Sequence, residues 1–451
     1  MTPVNILVLH YTGGPSLNAR ASFSSFISSS DSVNLLVVCN RISDNDKKNC
    51  LAWAEVENPC TNGQVELTAW KMHKKYRVDF VYTQQEDLVL RAAQLRALFG
   101  LKKETELFPD AALCFRDKVR MKEVASQGGF KVPTFERVWS PANVIGFIDL
   151  HGYPVVVKPS LGSASASVVV LRNDDDRDQY LTNEFYSKID ENGKCMDYSG
   201  DIIIETFARG QMVHVNGYAH NSEIKIVWPF KYINTNLGFT SGNAYGNILI
   251  PANTAHHAQL VNAAQRLLTI LPCPTHLLFH LELFETVNRD GDFEYSLCEI
   301  AARRPGGSIG NLIEKTEVGG YIAVSSVDTV PLFQEMEFRL SCGLGVRHDR
   351  ESQSRYARGD SGYSVGDLIV PLRIGKLEAI PDAEKCPVEG VQVIQVAKVG
   401  TEYAGFSINV MNTCVRFVVA SKEDENHTED SVFEKLNLAQ EWYNASVVYS
   451  K

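Results

Sequence analysis

The chain has 451 residues, 44% of them hydrophobic and 22% charged; that is room for about three domains or subdomains and excludes a wholly disordered, collagenous or coiled-coil molecule. Lys and Arg total 44 against 54 Asp and Glu, a net charge of -10, so nothing draws the whole molecule to nucleic acid or anionic lipid, and a bound anion needs a local cluster of cations. No window has the apolar length of a membrane span, and the opening Met1 to Gly14 carries neither a basic n-region nor a cleavage site, so a cytoplasmic protein is expected, without nucleic-acid or membrane partners.

In chain order, short apolar runs at Ile6 to Leu9, Leu35 to Val38 and Val78 to Tyr82 alternate with helical stretches, the pattern of an open α/β sheet. Gly13-Gly14 after the first run reads as a turn, since the rest of a G-x-G-x-x-G fingerprint is missing. Glu86 to Phe99 is the clearest helix, with Leu88, Ala92, Leu95 and Phe99 on one face and Gly100 as its stop. The texture changes from residue 113. A helix over Asp117 to Gln127 leads to the strand Val155-Val156-Val157-Lys158-Pro159, a small-residue loop from Ser160 to Ser167, and a second strand, Val168 to Leu171. Such a hairpin can close over a ligand. Asp174-Asp175-Asp176 is a solvated helix start, where carboxylates suit the dipole. Ile202 to Glu205 forms another strand, and a helix is expected near 254 to 270, where His256 and His257 point to different faces. Strands near 391 to 397 and 413 to 420, an acidic loop at 423 to 430 and a helix from Ser431 to Tyr443 complete the chain. The ten cysteines are spaced raggedly without a C-x-x-C, so reduced thiols are expected in place of a disulfide framework or zinc site. The glycosylation-type triplets at Asn426 and Asn444 are not expected to be used.

The densest chemistry lies between His280 and Gly310. Glu282 and Glu299, seventeen residues apart, each interrupt an apolar strand-like run. Neighbouring strands would bring the two carboxylates together, where a hard cation such as Mg²⁺ bridged to phosphates relieves their repulsion; alternatively each faces water at a strand edge. Arg303 follows Glu299 by four residues and can hold a phosphoryl or carboxylate oxygen bidentately, or is a surface arginine. His280, two residues before Glu282, lines a pocket or is a core histidine.

Taken together, the order of these pieces resembles the ATP-grasp superfamily of carboxylate–amine ligases: Asp117-Lys118, Gly152 to Pro159, the small-residue loop, Ile202 to Glu205, Glu282, then Glu299-Ile300-Ala301-Ala302-Arg303. The resemblance runs from about 80 to 325. It implies an N-terminal open α/β domain (1–112), a lid subdomain with a phosphate-covering hairpin loop (113–204), a central antiparallel-sheet ATP-grasp domain (205–326) and a C-terminal α+β subdomain (327–451). It further implies ATP with Mg²⁺, for which Mn²⁺ can substitute, as cofactors. Lys118 and Lys158 would meet the phosphates beneath the loop of Gly162, Ser163 and Ser165; Glu205, Thr206, Phe207 and Ala208 would form the adenine-reading hinge; Glu282 and Glu299 would be the metal ligands. Arg303 and Lys158 would be catalytic, and Arg303, Gly306, Gly307 and His280 would line the substrate site. Met212 stands where many members have a ribose-binding Glu, and Ala301 where others have a third metal ligand. The E-x-x-x-R-x-G-G form looks like the branch with L-amino acid ligases and carnosine synthase.

The expected reaction joins the carboxylate of an amino acid or small acid to the amine of a second amino acid through an acyl phosphate, releasing ADP and phosphate. A non-amino-acid acceptor, or an ATP-binding module without catalysis, are the alternatives, and a homodimer is the family-level expectation.

Overall fold

Val4 to His10 is a seven-residue apolar strand (β1) that pairs in parallel with β2 (Val33–Cys39) on one side and β4 (Phe80–Tyr82) on the other, with β3 (Ala52–Glu55) beyond β2. A parallel sheet is buried on both faces. Leu7 and Leu9 meet Ala69, Ala92 and Leu95 of the helices Gln64–Tyr76 and Val89–Phe99, while Ile6 and Val8 meet Phe23, Phe26 and Phe338. The order β3-β2-β1-β4 reverses between β1 and β4, and the crevice beyond the carboxyl ends of strands at such a switch is where open α/β sheets bind ligands. The computed structural model describes residues 3–11, 23–101, 107–185, 200–252, 254–318, 332–345, 363–404, 413–422 and 429–450; Gly13-Gly14, Cys195 and Asn426 lie outside them.

A second, antiparallel sheet has the order β5-β8-β6-β7, from β5 (Phe135–Val138), β6 (Val155–Pro159), β7 (Val169–Leu171) and β8 (Ile202–Thr206). The helix Pro141–His151, opened by a Ser140–Asn143 capping box, packs Val144, Phe147 and Ile148 on it. Between β6 and β7, Ala164, Ser165 and Ser167 adopt positive φ, a left-handed turn that small side chains enter at modest cost.

The largest sheet has eight antiparallel strands in the order β13-β12-β9-β10-β11-β14-β18-β16. These are β9 (Gln211–His220), β10 (Glu223–Ile233), β11 (Tyr245–Leu249), β12 (His276–Val287), β13 (Phe293–Ala301), β14 (Tyr363–Pro371), β16 (Val391–Gln395) and β18 (Thr413–Lys422). It therefore draws strands from both 205–326 and 327–451. Strand alternation gives its faces different chemistry. Val213, Val215, Leu281 and Leu283 pack under the helix Ala255–Ile270, and Leu368, Phe417 and Val419 under the helix Glu429–Ser446. The opposite face carries His214, Asn216, Asn247, His280, Glu282 and Asp367, all buried. A small sheet β17-β15-β19, of Glu402–Tyr403, Gly375–Ala379 and Val448–Ser450, completes the tail. Among the described residues no helix is long and apolar enough to cross a membrane.

Candidate active site

The helix Lys118–Gln127 starts where Asp117 accepts the N–H groups of Val119 and Arg120, with Asp117 itself gripped by Arg137 of β5 at 2.8 and 2.9 Å. This cap fixes Lys118 at the mouth of the small-residue loop. Its Nζ donates to the Gly162 carbonyl at 2.5 Å and lies 2.9 Å from Glu299 Oε2, and its N–H donates to the Ser160 carbonyl at 3.0 Å. Arg116 reaches the Leu161 carbonyl at 2.8 Å. Gly162, Ser163 and Ser165 follow in the turn, with Gly162 N–H on the Pro159 carbonyl at 3.2 Å.

Glu205 on β8 and Lys158 on β6 lie diagonally on one sheet face, since Glu205 pairs in register with Val156. Lys158 Nζ donates to Glu205 Oε1 at 2.5 Å, and Lys122, one turn past Lys118 and fully buried, sits 3.4 Å from Oε2. Lys122 also donates to the carbonyls of Leu297 and Cys298 at 2.8 and 2.9 Å, tying the helix to β13 just ahead of Glu299. Burial pushes the Glu205 carboxyl up, but the ammoniums of Lys122 and Lys158 outweigh it and hold Glu205 below the usual carboxylate range. Lys158 is held above its ordinary value, the Glu205 charge exceeding the cost of burial, whereas burial dominates at Lys122 and lowers it. In the segment expected to read adenine, the N–H groups of Thr206 and Phe207 are taken by the Thr134 and Pro154 carbonyls at 2.9 and 3.2 Å; Ala208 N–H has no partner among the described residues.

Glu282 of β12 and Glu299 of β13 are register partners across an antiparallel pair. Neither is a water-facing edge residue: Glu282 is buried and Glu299 half-buried. Tyr232 Oη donates to Glu282 Oε1 at 2.5 Å, and His280 Nε2 is 3.4 Å from the same oxygen. Burial would raise Glu299, but Lys118 foremost, then Lys158, pulls it down to about 2. Each carboxylate retains one oxygen without a partner among the described residues, Oε2 of Glu282 and Oε1 of Glu299. Two opposed carboxylates with uncommitted oxygens suit a hard divalent cation. Among the described residues no three His, Cys, Asp or Glu side chains form a metal-holding group.

Arg303 is no surface residue. Its Nε donates to Glu86 Oε2 at 2.8 Å, its Nη2 bonds the same oxygen, and Arg116 bonds the other. Glu86 reaches them because the helix expected from residue 86 begins as a 3₁₀ turn, Glu86–Leu88, before Val89–Phe99. Gly306 and Gly307 are exposed, and nothing lies within 4 Å of where a Cβ would stand at either, leaving space for a ligand ahead of the helix Ile309–Val318. Ala301 faces His280 in register, and Met212 packs on Tyr232, Phe239 and Tyr245.

Sequence reasoning missed the hydrogen-bond chain behind His280. His280 Nδ1 meets Asn216 Oδ1 at 2.7 Å, Asn216 Nδ2 meets His214 Nδ1 at 3.0 Å, His214 Nε2 meets Asn247 Oδ1 at 3.1 Å, and Asn247 Nδ2 donates to Asp367 Oδ1 at 2.7 Å. Asp367 is held by Ser308 and by Arg416 at 3.0 Å. Because a carboxylate only accepts, this end sets the direction of every bond back to a proton on His280 Nδ1. Burial first, then the neighbouring His280, keeps His214 neutral. Polar residues at alternate positions in the apolar strand around His214 and Asn216 were the available signal. Likewise, His256 meets Glu285 at 2.6 Å and is no part of a histidine pair.

No family model matches the sequence. Over 243 residues it is 25% identical to an L-arginine-specific L-amino acid ligase of Bacillus subtilis, a match covering 52% of this chain and 54% of that protein; the chain thus matches about half the length of its curated relative. In structure it is similar over its full length to the L-amino acid ligase of Bacillus licheniformis, with a TM-score of 0.64, 16% identity and 100% of both chains covered. It is also similar to an ADP complex of the N5-carboxyaminoimidazole ribonucleotide synthetase purK, with a TM-score of 0.60, 15% identity and 98% of each chain covered. The chain has the ATP-grasp fold that these structures share. Within that class, it resembles the L-amino acid ligases in both comparisons.

Proposed function

We propose that the chain is an ATP-dependent, ADP-forming ligase that activates the carboxylate of an amino acid or small acid and couples it to the amine of a second amino acid. The observation that carries this reading is the in-register pair of Glu282 and Glu299, flanked by Lys118 and Arg303 beneath a small-residue loop. A carboxylate oxygen would attack the γ-phosphorus while the bond to the β-bridging oxygen breaks; the amine would then attack the acyl carbon, lose a proton and displace phosphate. Such phosphoryl transfer asks the protein for alignment and charge stabilisation, with no side-chain nucleophile.

Glu282 and Glu299 would hold Mg²⁺ through their uncommitted oxygens, and the bound ion would supply charge neutralisation at the phosphates. Lys118 already stands between the loop carbonyl of Gly162 and Glu299, so it would orient the phosphates against the metal carboxylates. Lys158 would divide its charge between Glu205 and the phosphates. The 160–167 loop would exclude water from the acyl phosphate, and Arg303, fixed by Glu86, would steady the reacting carboxylate. The relation to an L-amino acid ligase in sequence and fold supports amino acids as substrates.

The test is phosphate release from ATP and Mg²⁺ with pooled L-amino acids, followed by mass spectrometry. Amino-acid-dependent release with a product mass of two residues less water is expected. Nucleotide binding with no such release would sink the amino acid ligase reading in favour of another acceptor or a binding module.

A further inference from the structure

Beside the Glu282 and Glu299 pair, two glutamates near the reaction centre are each held between two cations: half-buried Glu86 between Arg116 and Arg303, and buried Glu205 between Lys122 and Lys158. A third, Glu337, is 2% exposed and has one. Its Oε1 accepts the Arg304 N–H at 3.3 Å; its Oε2 lies 3.3 Å from Arg304 Nε and takes no hydrogen bond. Glu205 Oε2 likewise takes no hydrogen bond, so what sets Glu337 apart is its single cation, and a buried carboxylate carries a desolvation cost that a second cation would offset.

Glu337 lies near Tyr82 at the β1/β4 switch. Glu337 sits on the helix Leu332–Ser341, whose Phe338 packs on Tyr82 and Phe26 at ring separations of 5.1 and 5.6 Å, and whose Arg339 grips Asp31 at 2.6 and 3.1 Å. This seats Glu337 near Tyr82, the last residue of β4, which pairs beside β1. There Tyr82 Oη, in a residue 5% exposed, has no hydrogen-bond partner among the described residues, and the His10 ring packs on Phe23 with its Nδ1 3.3 Å from Gln84 Nε2. Burial, reinforced by the Arg304 charge, holds His10 down to about 4, so a neutral imidazole offers no repulsion to an incoming cation. The Arg303 charge is felt at Glu337 and also at Glu282 and Glu299, so this corner adjoins the phosphoryl site.

We propose that Glu337 Oε2 and Tyr82 Oη, near the carboxyl end of β4, form the subsite for the ammonium group of the carboxyl-donating amino acid. The assignment rests on the ligase reading above and names the acid that site takes. An ammonium held by a buried carboxylate stays protonated and cannot be the attacking nucleophile, so the subsite belongs to the amino acid being activated. The burial that pushes Glu337 up to about 7, only partly offset by Arg304, reflects the same missing cation.

The test is calorimetric titration of the full chain with each of the twenty common L-amino acids and its Nα-acetyl derivative, with and without Mg²⁺ and a non-hydrolysable ATP analogue. At least one amino acid is expected to bind, its acetylated form at least tenfold more weakly. Glu337→Gln should weaken that amino acid at least tenfold, Tyr82→Phe less, and Glu337→Asp should restore part of the loss, with the affinity for the ATP analogue changing by less than twofold. Equal affinity of acetylated and free amino acids, unchanged affinity in Glu337→Gln, or no amino acid bound by wild type would each overturn the subsite. The ATP analogue is titrated separately. Failure of that titration would remove the ligase reading, whereas analogue binding with an indifferent Glu337→Gln would remove the subsite alone.

Discussion

Glu205 and Glu337 are both 2% exposed, yet their surroundings drive them in opposite directions. At the four-stranded sheet β5-β8-β6-β7, two lysines hold Glu205 below the carboxylate range; near the N-terminal sheet, one arginine at 3.3 Å leaves Glu337 pushed up to about 7. Burial acts on both with the same sign. Each glutamate keeps an Oε2 without a hydrogen bond, so it is the number of cations, two at the first corner and one at the second, that decides the outcome.

The largest effect is expected where the two-lysine clasp on Glu205 is cut. Lys122→Met leaves Glu205 with one ammonium and strips a donor from the Leu297 and Cys298 carbonyls, and breaking a buried pair costs about 3–5 kcal/mol. Denaturant unfolding reads this directly; a loss below about 1 kcal/mol would mean that the clasp carries no weight.

Next comes the pH dependence, which should have opposite signs at the two corners. Glu337 has its folded pKa raised from 4.5 to about 7, so its contribution is fully present below pH 4.5 and is lost as pH rises to about 7, an upper bound of about 3 kcal/mol. Glu205, held low, contributes above its ordinary value and loses that contribution as pH falls. Unfolding free energies of Glu337→Gln and Glu205→Gln against wild type should therefore diverge, the first changing as pH rises above the ordinary carboxylate value and the second as pH falls below it; parallel curves across both ranges would erase the contrast.

Lys158→Ala should lower kcat/KM for ATP by an amount equivalent to roughly 1.5–3 kcal/mol, the worth of a charge-assisted hydrogen bond. Wild-type turnover would show that Lys158 serves Glu205 alone. The smallest change is expected for Glu299→Gln, where half-saturation by Mg²⁺ should rise about tenfold, near 1.4 kcal/mol. An unmoved titration would take Glu299 out of the metal site.

Local patterns revealed a good part of this. The small-residue hairpin after Lys158, the helix opened by Asp117 and the open α/β start of the chain all follow from periodicity and capping within a dozen residues, because hydrophobic period and backbone propensity act locally. The seventeen-residue spacing with its turn brought Glu282 opposite Glu299. Nothing local announced that Arg303 would be fixed by Glu86, 217 residues earlier, or that Lys122, bland on its helix, would hold two carbonyls of β13.

The amino-acid order thus set the elements, the hairpin and the opposed carboxylates, since each depends on neighbours in the chain or on one short turn. Which carboxylate ended up between two cations, and which beside one, was settled only by packing. Glu205 lies between helix and sheet residues 83 and 47 positions away, and Glu337 near Tyr82, more than 250 positions earlier. Coulomb energy and desolvation depend on distance in space and on the exclusion of water, and the chain acquires both only when the sheets come together.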